Sequence, residues 1–158
     1  MNKIISIIML VLPITLNANP MYFLLGKKQV NVEFDYTNTV VENLELRDFQ
    51  DLQSAKGIEW ERLFLEELND EIDDDIDIQF GDYPESSYTM LCIVLSVSLN
   101  GTTKMDVRFI NTETLEERAK MIVYGHGGIF GSFANLVGDG MSRCGERLGE
   151  ILEEKLEL

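Results

Sequence analysis

The chain has 158 residues, with 28 Asp and Glu against 13 Lys and Arg, a net charge of −15 and a pI near 4.3. That length is one domain with room for a real core, and a surface so acidic repels phosphate backbones and anionic headgroups, which argues against nucleic acid and against electrostatic docking on anionic lipid. Two cysteines and a single histidine leave little material for a zinc centre.

Residues 1–18 read as a cleaved signal peptide: Lys3, an apolar run from Ile4 to Ile14 broken by Pro13, and a small-residue exit at Leu16-Asn-Ala18. The run is well short of the ~20 residues that span a bilayer. The residue directly after Ala18 is Asn19 and not cysteine, so a lipid-anchored form is not expected, and the chain is expected in the periplasm or secreted. Residues 19–158 are then a single domain with no further segment apolar enough to cross a membrane.

Residues 19–28 look loosely ordered, although Tyr22 to Leu25 is apolar enough to dock. Val30, Val32, Phe34 and Tyr36 alternate with polar residues, the period of a half-buried strand. Val40 to Ala55 suggests a partly helical excursion, and Gly57 precedes a firmer helix over Ile58–Ile72, with Ile58, Trp60, Phe64, Leu65, Leu68 and Ile72 near one face. Ile76, Ile78 and Phe80 form a short strand. Tyr88 to Leu99 is a central strand, with Leu91, Ile93, Leu95, Val97 and Leu99 on one face and Met90, Cys92 and Val94 on the other. Asn100-Gly101 is a hairpin signal. Strands through Met105–Phe109 and Ala119–Val123 follow, and the last runs into a glycine loop, Gly125–Gly131.

The closing helix is the clearest element. At 100° per residue, Phe130, Phe133, Ala134, Val137, Met141, Cys144, Leu148, Ile151 and Leu152 fall in one arc. Gly138, Gly145 and Gly149 sit together on its shoulder. Each glycine costs a helix about 1 kcal/mol relative to alanine, so three on one shoulder imply close approach to a sheet or a neighbouring helix. The order strand, helix, four strands, helix gives an α+β domain: a mixed sheet of about five strands with the C-terminal helix packed on it. Two helices are too few to cover both faces, so part of one face is left for solvent or a partner.

The local signals for chemistry are weak. Gly125-x-Gly127 follows a strand and opens a helix, where a dinucleotide pyrophosphate would bind. The third glycine is misplaced at Gly131, and no strand bearing an acid follows. His126 has no second histidine or nearby cysteine with which to hold a metal. Asp73-x-Asp75-x-Asp77 imitates a calcium loop, but its sixth position is Ile78 and its twelfth is Pro84. The acidic run 70–77 therefore reads as a solvated turn, with weak divalent-ion binding as the alternative. Cys92 and Cys144 read as small buried hydrophobes, with a disulfide as the alternative. Trp60 is spaced for burial beside Phe64, not for a carbohydrate platform. No catalytic, cofactor or metal residue is assigned.

Three patterns carry a resemblance: the first strand Val30-Asn-Val-Glu-Phe-Asp-Tyr36; the meander Tyr88-Thr-Met-Leu-Cys-Ile-Val-Leu-Ser-Val97 with Val107-Arg-Phe-Ile-Asn-Thr-Glu-Thr114; and the closing Gly127-Gly-Ile-Phe-Gly-Ser-Phe133. They resemble small exported domains of unknown function from Gram-negative bacteria, of the Bacteroidetes type. In layout they are similar to the domain shared by the N-terminal part of TolB and the curli-secretion lipoprotein. The resemblance covers residues 29–155 and implies an envelope-located, non-catalytic α+β domain; it fixes no functional residue, and the missing lipid-anchor cysteine is a departure. The expectation is a module that binds an envelope protein through its sheet edge or uncovered sheet face. Two alternatives are a metal-dependent hydrolase using the Gly125–Gly131 loop and a small-ligand carrier with a pocket under the last helix.

Overall fold

A computed structural model describes residues 21–156; the expected signal peptide lies outside them. A short 3-10 turn, Tyr22–Leu24, leads into β1 (Gln29–Asp35), β2 (Val40–Val41), α1 (Leu46–Glu71), β3 (Gln79–Gly81), β4 (Tyr88–Val97), β5 (Thr103–Asn111), β6 (Glu117–Gly125) and α2 (Phe133–Leu156). The sheet is mixed and open, in the order β3-β1-β4-β5-β6. β3 and β4 run parallel to β1, β4 to β6 form an antiparallel meander, and β2 pairs with the far end of β4. The α+β class is as the sequence predicts, with six strands where about five are expected.

Both helices lie on one face of the sheet, side by side and pointing the same way. That face is built from Val30, Met90, Cys92, Val94, Met105, Val107 and Phe109. α1 covers the β1 side, where Phe64 meets Phe34 edge-on at 5.3 Å between ring centres. α2 covers the β5–β6 side through Met141, Cys144, Leu148 and Leu152, all fully buried. The N-terminal turn closes the bottom of this core: Met21 and Leu24 are buried, and Phe23 packs on Tyr88 and Phe109.

α1 is one continuous helix that begins well before the expected Ile58. Gly57 sits inside it, because the buried series Phe49, Trp60, Phe64 and Leu68 outweighs the ~1 kcal/mol a mid-helix glycine costs. Ile58, expected on the packed face, points to solvent. α2 starts later than its apolar arc suggests. Ser132 caps it, accepting from the Asn135 N–H at 3.3 Å. Phe130 therefore lies outside the helix and off the core. On β4 a bulge makes Leu95 an extra residue between Val94 and Ser96. This returns Val97 to the helix-covered face, where it is buried, and leaves Leu99 exposed beyond the strand. Cys92 and Cys144 are both buried free thiols.

The glycine shoulder of α2 rests on α1. A Cβ on Gly145 would fall inside contact distance of the Phe64 carbonyl, and one on Gly149 would lie 2.5 Å from Glu71 Cβ. Gly138 faces Leu63 and Trp60, whose indole N–H donates to the Ala134 carbonyl at 2.9 Å.

Because the Gly145 obstacle is backbone, it cannot rotate away. Gly145→Leu should cost about 3 kcal/mol or more and lower Tm by roughly 10 °C, with Gly145→Ala smaller in the same direction. Gly57→Ala should do the reverse, stabilising by up to about 1 kcal/mol, because its Cβ meets only the flexible end of Gln53, at 2.8 Å. Thermal melts of the three variants check the contrast; equal effects at both positions would mean that the two helix backbones are not in contact.

Candidate interaction surface

Topology puts the glycine loop at one pole of the molecule. β2, β4 and β6 end there, β5 begins there, and both helices start there. The acidic stretch 70–77 begins in the last turn of α1, at the opposite pole.

The loop's glycines are consumed by packing. A Cβ on Gly125 would strike the Gly140 carbonyl and lie 2.6 Å from the Cys144 nitrogen; one on Gly127 would strike the Asn100 carbonyl. The Gly127 N–H donates to Thr102 Oγ1 at 3.1 Å. The reciprocal face is the β4–β5 turn, where Gly101, at φ +79°, leaves room for the backbone of Leu136. This loop is thus pinned on the turn and on α2, and the Gly127 amide a phosphate would need is already engaged.

Pinning drives the loop's two large apolar residues outward. Ile129 is 87% exposed and Phe130 89% exposed. Leu99, on the turn against which Gly127 packs, and Val40, on β2, are exposed at the same pole. His126 is also exposed there. A groove of about 380 Å³ opens beside Gly128, lined by Glu67, Asp139, Ser142, Arg143 and Glu146. A second, of about 320 Å³, runs between α1 and the start of α2 past Trp60, Phe130 and Asp139. His126 lines neither. Among the described residues no three His, Cys, Asp or Glu side chains converge to hold a metal ion. In the acidic run, Asp73 Oδ1 accepts from the Asp75 N–H at 3.0 Å, and Asp77 pairs with Lys28. The space under α2, where a carrier would need a pocket, is occupied by Met141, Cys144 and Leu148.

Among the described residues no helix lies on the sheet's second face. Leu91, Ile93 and Leu95 of β4 form a half-buried ridge on it, with Ile110 and the exposed Ile122 and Tyr124 beside them. Asp106 is buried among them. Its Oδ2 accepts from Arg108 Nε and Nη2 at 3.0 and 2.7 Å, while its Oδ1 has no partner. The two sheet edges are treated differently. On β3 the Asn69 amide of α1 bonds both the N–H and the C=O of Phe80, each at 2.9 Å, in place of a strand. β6 has no strand on its outer side among the described residues. Its charged Arg118 and Lys120 are of the kind that guard an exposed edge.

Two carboxyls sit at the helix interfaces. Burial raises Glu61 above the usual carboxylate range, opposed by the Tyr36 hydroxyl. That hydroxyl is itself pushed up by its own burial and then by Glu61. Glu71 is raised by desolvation against α2 and by Glu150, Glu146, Glu153 and Glu67. Apart from Glu67 with Glu71, four residues apart on α1, these pairings were not visible locally, since they join elements far apart in sequence.

A carboxyl with a raised value binds its proton more tightly folded than unfolded, so stability grows as pH falls through the raised value and is lost above it. Asp35, lowered by Thr37, acts oppositely but only below the ordinary aspartate range. Tm should therefore rise as the pH falls from neutrality toward the ordinary glutamate range. Glu71→Gln should raise it by about 2 °C at neutral pH and flatten the slope. Calorimetry across that range checks this, and a falling Tm would contradict it.

No family model matches the chain, and no curated protein matches it. Two solved structures show a distant likeness: a PelC dodecamer from Paraburkholderia phytofirmans, at 11% identity over 77% of this chain and 88% of that one with a TM-score of 0.41, and a single-substitution PelC dodecamer from the same organism, at 10% identity over 80% and 86% with a TM-score of 0.38.

Proposed function

We propose that the chain is an exported, non-catalytic binding module that engages another cell-envelope protein through its apolar pole. The observation that carries this is the near-complete exposure of Ile129 and Phe130 on a loop held by backbone packing. Large apolar side chains presented on a fixed support are what fill a partner's pocket at an interface centre. The leader expected at residues 1–18 supports an extracytoplasmic setting, either periplasmic or secreted.

A protein pocket suits this pole better than a bilayer does. Two buried side chains contribute about 2 kcal/mol each, short of stable anchoring without cationic help, and the chain's charge of −15 opposes an anionic leaflet. A hydrolytic role for the Gly125–Gly131 loop has less support, since His126 stands apart from both acidic grooves.

The test is affinity capture from envelope extracts with the wild-type chain and with Ile129→Ser/Phe130→Ser, followed by titration of the purified pair. The wild type should retain a partner, and the double variant should bind it at least about 10-fold more weakly at unchanged Tm. Equal retention by both, a loop-dependent flotation with lipid vesicles, or metal-dependent turnover would overturn the proposal.

A further inference from the structure

β3 pairs with β1 only through Gln29, Val30 and Asn31. After Gly81 the chain leaves the line of that strand, and the Tyr83 N–H turns to Asn31 Oδ1 at 3.0 Å. β1 runs on to Asp35, so from Val32 its outer edge has no strand beside it among the described residues. The Gln79 N–H donates to the Lys28 C=O at 2.9 Å, which shows that the peptide groups of the even-numbered residues face this side. The same alternation turns the Val32 C=O and the Phe34 N–H and C=O outward. The other edges are capped or guarded: Asn69 bonds the outside of β3, while β6 carries Arg118, Lys120 and a register shift near its start.

Beside the open edge lies a groove of about 380 Å³, lined by Phe34, Asp35, Tyr36, Thr37, Gln50 and Gln53. Its two sides differ in character. The Phe34 and Tyr36 rings stack 6.4 Å apart on the side of α1. Glu33 and Asp35 alternate with them and point to the opposite side of the sheet. The one charged side chain lining the groove is thus an acid, and the next charge along the edge is another.

We infer that this edge takes an extended, basic peptide segment of a partner protein, which adds a strand to β1 where β3 stops. About five residues span Val32 to Tyr36, roughly 16 Å. Alternate side chains of the added strand point to opposite faces. An apolar set enters the groove beside Phe34 and Tyr36, and a cationic set lies next to Glu33 and Asp35. A second copy suits this edge poorly, because a chain of charge −15 brings acid to acid. The site shares no residue with the Ile129–Phe130 pole, so the two readings fail separately.

The experiment titrates the chain, as exported by an expression host, with a blocked heptapeptide of alternating Lys and Val. Calorimetry gives the affinity, and amide chemical shifts locate the contact. Binding should saturate with a Kd below about 1 mM, weaken with salt, and shift the amides of residues 32–36 and 50–53 first. The alternating Glu and Val peptide should not bind. Two further peptides keep the charge and carry N-methyl groups on either the valines or the lysines. Only one set of N–H groups can face β1, so one of the two should bind like the parent and the other at least about 10-fold more weakly. Glu33→Lys, at an exposed position, should weaken the parent peptide about fivefold at unchanged Tm. No saturable binding at that concentration would overturn the inference. So would equal behaviour of the two N-methyl peptides, shifts centred elsewhere on the acidic surface, or an unchanged Kd for Glu33→Lys.

Discussion

Backbone lies against backbone where α2 meets its neighbours, and the rest of the molecule is arranged around that contact. Gly145 rests on the Phe64 carbonyl, Gly140 on the Gly101 carbonyl, and Gly125 on Gly140 in turn. Each removes a side chain where two elements would otherwise be held apart. Lowered in this way, α2 buries Met141, Cys144 and Leu148 on β5 and β6 while still touching α1 along its length. The helical cost of the glycines, about 1 kcal/mol each, is offset by apolar burial on two sides at once. With both helices drawn to one face, the other face of the sheet is left without a helix among the described residues. With the Gly125–Gly128 segment pinned between α2 and the β4–β5 turn, Ile129 and Phe130 have no interior to enter.

Several of these features are legible in the sequence. The three-glycine shoulder of α2 marks a close approach before any neighbour is known, and strand periodicity locates β1, β4, β5 and β6. What escapes is decided by contacts between distant residues. Gly57 reads as a helix boundary because local propensity is all a sequence window offers; only Phe49 and Trp60 stacking across it, 5.9 Å apart, reveal one helix. Phe130 fits the apolar arc of α2 by angle alone, but the cap at Ser132 starts the helix three residues later. Val97 changes faces because a bulge at Leu95 breaks the period of two, and bulges leave no residue signature here. The candidate surface was legible only as a glycine loop and an uncovered sheet face. Its apolar pole depends on which side chains tertiary packing turns outward.

The same packing separates the surfaces by character. The pole where both helices begin is apolar at Val40, Leu99, Ile129 and Phe130, and the far pole carries Asp73, Asp74, Asp75 and Asp77. The other face of the sheet mixes acids and bases, with Asp106 and Glu117 both paired to Arg108. In an acidic chain, the apolar pole is a place where a partner's approach is little opposed by charge. Asn69 closes the β3 edge with two hydrogen bonds while charge alone guards β6.

Native-state hydrogen exchange tests the backbone contact most directly. If α2 is seated as described, the interior amides of α2 around Gly145 and of α1 around Phe64 open only with β4 and β5, at the free energy of global unfolding. Exchange of the α2 amides at a clearly lower free energy than those of β4 and β5 would mean that the helix detaches on its own, and the account built on its glycines would be wrong.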